Sequence, residues 1–524
     1  MHNIYYGEMV AYGKTLHYNE KVRTVEYTKN DAIEEYKKIR EIIELNLDSL
    51  FKKRFEDEHL KGFMDYSIVA YPFKSSFLEE YIVQNLWKSQ DTILKIFKEG
   101  INTFIKKPDK NILLTLLKDH TTDRYLKNVE FLRNQILKQI SRMYMQELLS
   151  SQDSNIIVVV NRFEKEFLYN LNPHVVGFVC RHTEDTDLDE ELSHAYEIPI
   201  VRTDRTVSNS HAIGIDGINN IMYVDPKEEI VEKLDVLKSK LSFSFGEEPK
   251  YKSDVIKFYA NLVDKRGIDR AKESTWYQGV ALFRSEFMFM TKGCLPSKEE
   301  QIDMYVYLLN AFKDRLVQIR IPDFSELKTL DYERDVFTEI DMVPDYQRLY
   351  FTNIEAIYEA SKIVNKKVTI VIPKLRMGQE IDLWKTKIDG YLGINLPESI
   401  KPLFGIMMET ESSFLYYEDY RHVDSVIFGL NDYLEEAMDK SRFESVDFED
   451  FMLDPWHDIR GAHQFYRRAG IRKFHIVSGN VLKQPELLTK FIKKGFKHFA
   501  IPMSYIKIAE EVLLKHESTR GMFK

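Results

Sequence analysis

Two arginines and two acids recur in one kind of place along this chain. Arg284, Arg320 and Glu409 each end or directly follow a short apolar run, and Asp432 lies just beyond another in "FGLNDY". Guanidinium forks match the geometry of phosphate oxygens, and a pair of carboxylates can hold Mg2+, which keeps its other positions for water and substrate oxygens. Asn431 precedes Asp432 in the same stretch, and Asn261 and Ser478 sit at the ends of further runs of the same kind. A lone Arg or Glu in such a position is more often a salt-bridged surface residue. It is their coincidence at several run ends that predicts a Mg2+-dependent site for a small phosphorylated acid.

The elements that must position these residues are legible in the second half of the chain. Eight apolar, β-prone runs follow residue 250: "VIKFYANL", "GVALFR", "LVQIRI", "KVTIVIP", "LFGIMME", "DSVIFGL", "FHIVS" and "HFAIP". Helical patterns such as "KEEQIDMYVYLLNAF" and "LYFTNIEAIYEASKIV" fill most of the gaps. That alternation predicts an α/β chain ending in a (β/α)8 barrel over residues 251–524, whose chemistry belongs at the carboxyl ends of the strands. The histidines of "DPWHDIRGAHQFYRRAG", His457 and His463, read as outer-helix residues.

The first half changes texture twice. Residues 25–145 carry amphipathic helical patterns, as in "DAIEEYKKIREIIELNLDSLFKKRF", and read as a helical domain. Residues 1–24 and 146–228 carry short β-rich runs, among them "NIIVVVN", "VVGFVCR" and "IPIVRT", and read as a compact α/β domain into which the helices are inserted. A charged helix, "KEEIVEKLDVLKSKL", and the breaker-rich "SFGEEPKYKS" fill a linker over 229–250.

Composition excludes several classes. A net charge of −9 argues against general nucleic-acid binding. Two cysteines, Cys180 and Cys294, make no disulfide framework and lack metal-ligand spacing, which fits a reducing cytoplasm. No apolar run is long enough to cross a bilayer, and "MHNIYYGEMVAYGKTL" lacks the basic start and apolar core of a leader, so no membrane role is expected.

The motifs taken together resemble enzyme I of the bacterial phosphotransferase system, the phosphoenolpyruvate (PEP) protein phosphotransferase. "GVALFRSEFMFM" with "LPSKEEQ" is similar to the family's first phosphate-gripping segment and implies that role for Arg284. "IRIPDFSELK" is similar to the second and implies it for Arg320, with Asp323 and Lys328 in register and Ser325 and Glu326 in place of a glycine pair. "GIMMETESS" implies Glu409 as a metal ligand, and "FGLNDYLEEAMDKSR" implies Asn431 for PEP, Asp432 for Mg2+ and Arg442 for the substrate. The opening "YYGEMVAYGKTLHY" and "DGINNIMYVDP" extend the likeness over nearly the whole chain. The resemblance further implies a swivelling phosphohistidine-type domain, a helical domain that docks a small histidine-containing phosphocarrier protein, and a homodimer formed through the barrel.

Two positions depart from that pattern. Counted without gaps from Gly177 to Pro199, Leu188 stands where the family has its phosphoacceptor histidine, and leucine cannot accept a phosphoryl group. Ser478, in "HIVSGNVL", stands at the family's proton-donor cysteine, and a hydroxyl is a far weaker acid than a thiol of pKa about 8.5. Leu188 lies inside "TEDTDLDEEL", where six of the eight residues 184–191 are carboxylates. Charge repulsion is expected to keep such a segment away from an anionic ligand. His182 and His194 lie six residues either side of Leu188, a helical rotation of about 600°, and are expected to face elsewhere. The readings left open are a phosphotransferase with an unusual acceptor, a PEP-binding regulatory protein without transfer, and a scaffold that has lost the ligand.

Overall fold

Strands β2 (Val10–His17) and β3 (Ile156–Arg162) pair in parallel, with Leu16 opposite Val158, although a whole helical stretch separates them in sequence. The computed structural model describes residues 3–4, 9–18, 27–47, 66–89, 91–106, 122–150, 152–183, 186–204, 207, 210–241, 253–292, 296–323, 346–392, 400–439, 445–468 and 474–521. The sheet containing β2 and β3 also holds β1 (Asn3–Ile4), β4 (Val175–His182), β5 (Ile200–Arg202), β6 (Ala212–Asp216) and β7 (Ile221–Val224). Its order is β1-β5-β4-β3-β2-β6-β7. The central strands β3 and β4 are buried on both faces, which is why they read as unbroken apolar runs.

Between β2 and β3 lie α1 (Lys29–Leu47), α2 (Tyr66–Lys74), α3 (Ser76–Lys88), α4 (Ile93–Lys106) and α5 (Thr122–Ser150). Their pairing follows from spacing. In α4 the buried residues Ile93, Ile96, Phe97, Gly100, Ile101 and Phe104 recur three and four apart, forming one apolar stripe. Ser75 starts α3 by accepting from the Leu78 N–H at 3.3 Å. No helix among the described residues is long and apolar enough to cross a membrane.

After β4 comes α6 (Thr186–Tyr196), and after β7 the connecting helix α7 (Glu228–Leu241). The eight predicted runs then form β8 (Lys257–Leu262), β9 (Tyr277–Arg284), β10 (Leu316–Arg320), β11 (Thr369–Ile372), β12 (Leu403–Met408), β13 (Ser425–Gly429), β14 (Phe474–Ser478) and β15 (His498–Ala500). All pair in parallel and in sequence order, and β15 closes on β8. Alternate residues fill the interior in two small clusters, Tyr259, Ala281, Ile476 and Ala500, and Leu282, Val371, Met407 and Ile427. A helix over Lys298–Ala311 starts with the capping box that "SKEE" encodes, Ser297 and Glu300 exchanging side-chain and backbone bonds. His463 lies on the outer helix Asp454–Arg468, stacked on Phe496 at 3.8 Å, so it is the packing residue the sequence predicts.

The first sheet and the barrel meet through α6. Leu188 is half-buried and packs against both apolar cores. Tyr196 meets Phe287 edge-on at 5.9 Å and hydrogen bonds Thr291 at 3.2 Å.

Candidate functional site

Strand register brings the two arginines together. Arg284 and Arg320 are the last residues of β9 and β10 and lie directly opposite each other. Glu286, the first residue of the next helix and fully buried, ties them. Its Oε1 lies 3.2 Å from Arg284 Nε and also accepts from Arg320. Arg320 is 2% exposed and faces Asp323 at 3.7 Å and Glu409 at 3.9 Å. Burial works against its charge, but Glu286, Asp323, Glu409 and Asp432 together hold the guanidinium pKa well above its ordinary value.

Glu409 follows β12 and is fully buried. Asp432 lies in the first turn of the helix after β13. Between them stands Lys374, which the sequence reading passed over. Its backbone N–H donates to Glu409 Oε1 at 2.7 Å, and its ammonium donates to Asp432 Oδ1 at 2.7 Å. It adopts φ of +55°, a left-handed conformation that costs a lysine roughly 1 kcal/mol and persists only where its surroundings fix it. Burial opposes its charge, yet Asp432 and Glu409 hold its pKa above normal. Burial and then the Asp432 charge raise the Glu409 carboxyl well above the usual carboxylate range, against the pull of Arg320. Glu409 Oε2 is buried and accepts no hydrogen bond among the described residues.

The remaining predicted residues frame this cluster. Ser478, at the end of β14, is buried and accepts from Asn261 Nδ2 at 3.1 Å. Asn431 accepts the Asn480 N–H at 2.7 Å across the turn after β14. Gly479 makes that turn with φ of +153°, and a Cβ there would meet Leu430 Cβ at 2.9 Å and Asn431 Oδ1 at 3.2 Å. Lys328, Arg442, Ser325 and Glu326 lie outside the described residues.

The acidic segment corrects an expectation. Repulsion was expected to keep it away from an anionic ligand; in the structure α6 docks at the barrel mouth, with the Glu191 carboxylate on the Arg284 guanidinium. Asp189 and Glu191 are both about 5% exposed, while Asp187 is exposed. The reason is local sign: Glu191 meets a cation of the mouth. Glu190 is pushed up to about 7 by burial and by Asp187, with Lys483 pulling the other way.

His194 is a second correction. Sequence rotation placed it on another face, yet its Nδ1 lies 3.2 Å from Lys483 Nζ, on the turn Asn480–Lys483 at the barrel mouth. A helix inside a cleft has more than one face covered, which a one-face wheel ignores. Burial, then Lys483, holds the imidazole pKa far below its ordinary value, so it is neutral. His182 ends β4 and is exposed.

The site is thus saturated from within. Among the described residues five carboxylates, Glu191, Glu286, Asp323, Glu409 and Asp432, meet three cations, Arg284, Arg320 and Lys374. The negative surplus sits on the Glu409 side. Such a cluster can take a divalent cation at its acidic end and an anion at its arginine end, provided that Lys374 and Glu191 give way.

Comparison with known proteins agrees with this geometry. Residues 244–511 match the family described as PEP-utilising enzyme, PEP-binding domain. The chain is 26% identical over 369 residues to a phosphoenolpyruvate-protein phosphotransferase of Haemophilus influenzae, covering 64% of this chain and 62% of that one. Proteins of the same name from Buchnera aphidicola (subsp. Acyrthosiphon pisum) and Listeria monocytogenes are 26% and 24% identical, over 59% and 62% of this chain and 59% and 63% of theirs. The chain thus matches about three fifths of the length of these relatives. Barrel, strand-end residues and family match lead to one conclusion: this chain belongs to the PEP-utilising enzymes, with its PEP-binding domain in the C-terminal barrel.

Proposed function

We propose that the barrel mouth binds PEP together with Mg2+, and that the protein acts as a PEP-responsive regulatory member of its family rather than as a phosphoryl carrier. The observation that carries this reading is the docking of α6. The helix that resembles the phosphoryl-carrying segment presents Glu191 to Arg284 and packs Leu188 into apolar contacts. Ligand and helix therefore compete for the same guanidinium, so ligand occupancy is converted into release of the first sheet. The division of the chain at residues 25–145, 229–250 and 251–524, and docking of a phosphocarrier protein on the helical part, belong to the same reading.

The residues fit Mg2+. Glu409 and Asp432 would hold it, Glu409 Oε2 accepts no hydrogen bond among the described residues, and among them carboxylates outnumber cations at the mouth. When bound, the ion supplies neutralisation of phosphate and carboxylate oxygens. Arg284 and Arg320 orient the phosphoryl group, and Glu286 fixes both forks. Lys374 keeps the acidic end charge-compensated until the cation arrives.

Glu409 gives this a pH signature. Its folded pKa is raised, so the folded chain keeps a proton that the unfolded chain releases. The stability it contributes is present at low pH and is lost as pH rises through the raised value. Thermal melting of wild type and Glu409→Gln between about pH 5 and about pH 8 should show wild type losing ground relative to the variant as pH rises. Mg2+ should recover that loss in wild type and leave the variant unmoved. Equal Mg2+ responses in the two proteins would remove Glu409 from the site.

Transfer is tested with 32P-labelled PEP, Mg2+ and an ordinary phosphocarrier protein. The expected result is reversible PEP binding by calorimetry with no acid-labile label on the chain. Label that disappears in His194→Ala would make His194 the acceptor and overturn the regulatory reading.

A further inference from the structure

Away from the arginines and acids of the mouth, a cavity of about 730 Å3 lies where three parts of the chain meet. The first sheet contributes Ala11 and Asn155, α7 contributes Lys238, and α8 (Lys265–Lys272) contributes Arg266 and Arg270. None of the barrel-mouth residues Arg284, Arg320, Lys374, Glu409 or Asp432 lines it. Its acids are already engaged. Glu197 pairs with Arg270 at 3.1 Å, Asp264 caps α8 through the Gly267 N–H at 2.8 Å, and Asp269 accepts from Lys272 at 2.6 Å and Tyr307 at 2.5 Å.

Two of its cations, Arg266 and Lys238, are not, while Lys265 stands over the Tyr307 ring at 5.2 Å. Arg266 makes no hydrogen bond or ion pair with any described residue, and its Nη1 is buried. Lys238 likewise makes none among the described residues. Burial and then the neighbouring Arg270 hold the Arg266 guanidinium down to about 10, and burial, Arg270 and Arg266 hold Lys238 below its ordinary value. A guanidinium with a buried, unpartnered nitrogen and an exposed lysine without a partner among the described residues, at a cavity roomy enough for a small metabolite, are an arrangement that an anion completes. A guanidinium fork with a lysine point charge suits a phosphoryl head better than a single carboxylate, because it offers both a bidentate partner and a second positive charge.

We propose that this cavity is a second anion site, taking a small molecule with a phosphoryl group between Arg266 and Lys238. Because its walls come from the sheet, the linker helix and the barrel, a bound anion ties the three together and holds α6 docked. The site thereby opposes ligand at the barrel mouth. The binding claim stands without the PEP reading; only the opposition rests on it.

The probe is inorganic phosphate, titrated into the full chain without Mg2+ at fixed ionic strength and followed by calorimetry and thermal shift. Wild type should bind and melt higher, Arg266→Gln and Lys238→Met should each weaken binding at least about tenfold, and Arg284→Ala should leave it within about twofold. Neither cavity variant should melt below wild type in the absence of phosphate, since each removes an unpaired cation. Undiminished phosphate binding in both cavity variants, or loss of binding in Arg284→Ala alone, would overturn the proposal, as would no binding by wild type at millimolar phosphate. In a second arm, saturating phosphate should weaken PEP binding in wild type and not in Arg266→Gln. Equal PEP affinity in wild type with and without phosphate would remove the opposition and leave the site.

Discussion

Glu191→Ala should bind PEP, in the presence of Mg2+, about ten- to a hundredfold more tightly than wild type. The incoming phosphate must displace the Glu191 carboxylate from Arg284, a charge-assisted contact between side chains only 6% and 18% exposed. Hydrogen bonds to charged partners contribute roughly 1.5–3 kcal/mol net, and each 1.4 kcal/mol is a factor of ten. Removing the competitor returns that free energy to the ligand. Glu191→Gln should gain less, because the amide can still accept from the guanidinium while carrying no charge. Calorimetric titration of the three proteins decides it. Weaker binding in Glu191→Ala would mean that Glu191 organises Arg284 for the ligand rather than excluding it.

The largest effect on stability should come from Arg320→Met. Arg320 is the shared partner of Glu286, Asp323 and Glu409, two of which are fully buried. Deleting one side of a buried ionic cluster costs about 3–5 kcal/mol, because uncompensated charges stay behind. The methionine fills the aliphatic volume beside Met407, which Arg320 already touches, so lost packing is the minor term. With the cation gone, the Glu409 carboxyl, already raised by burial and by Asp432 against the pull of Arg320, should take up a proton more readily. The destabilisation relative to wild type is therefore full at neutral pH and shrinks as pH falls and Glu409 protonates. Chemical denaturation at two pH values measures it. A loss independent of pH would assign the effect to packing.

How much of this was legible in the sequence depended on whether the determining partner was near in the chain. The barrel was legible because buried parallel strands are apolar throughout, so "GVALFR" and "SVIFG" read as strands without help from neighbours. The strand-end rule then made Arg284, Arg320, Glu409 and Asp432 stand out. Lys374, in "VIPKLRMG", has no local mark that separates it from a surface lysine, since its role comes from Asp432, 58 residues away in sequence. The acidic run misled for the same reason. Taken alone it reads as a repelling, solvated face, and only Arg284, 93 residues further on, turns Glu191 into a docking contact. His194 was discounted by a rotation argument that assumes one partner face, which fails for a helix gripped between strand ends and the turn that carries Lys483.

The claim on which the account depends is that PEP and α6 cannot hold Arg284 at the same time. Hydrogen exchange of the amides of residues 186–196, followed by mass spectrometry with Mg2+ alone and with Mg2+ plus PEP, measures this on the unmodified chain. The account predicts that PEP speeds exchange in this helix while slowing it at the strand ends around Arg284 and Arg320. Slower or unchanged exchange in 186–196 at saturating PEP would contradict it.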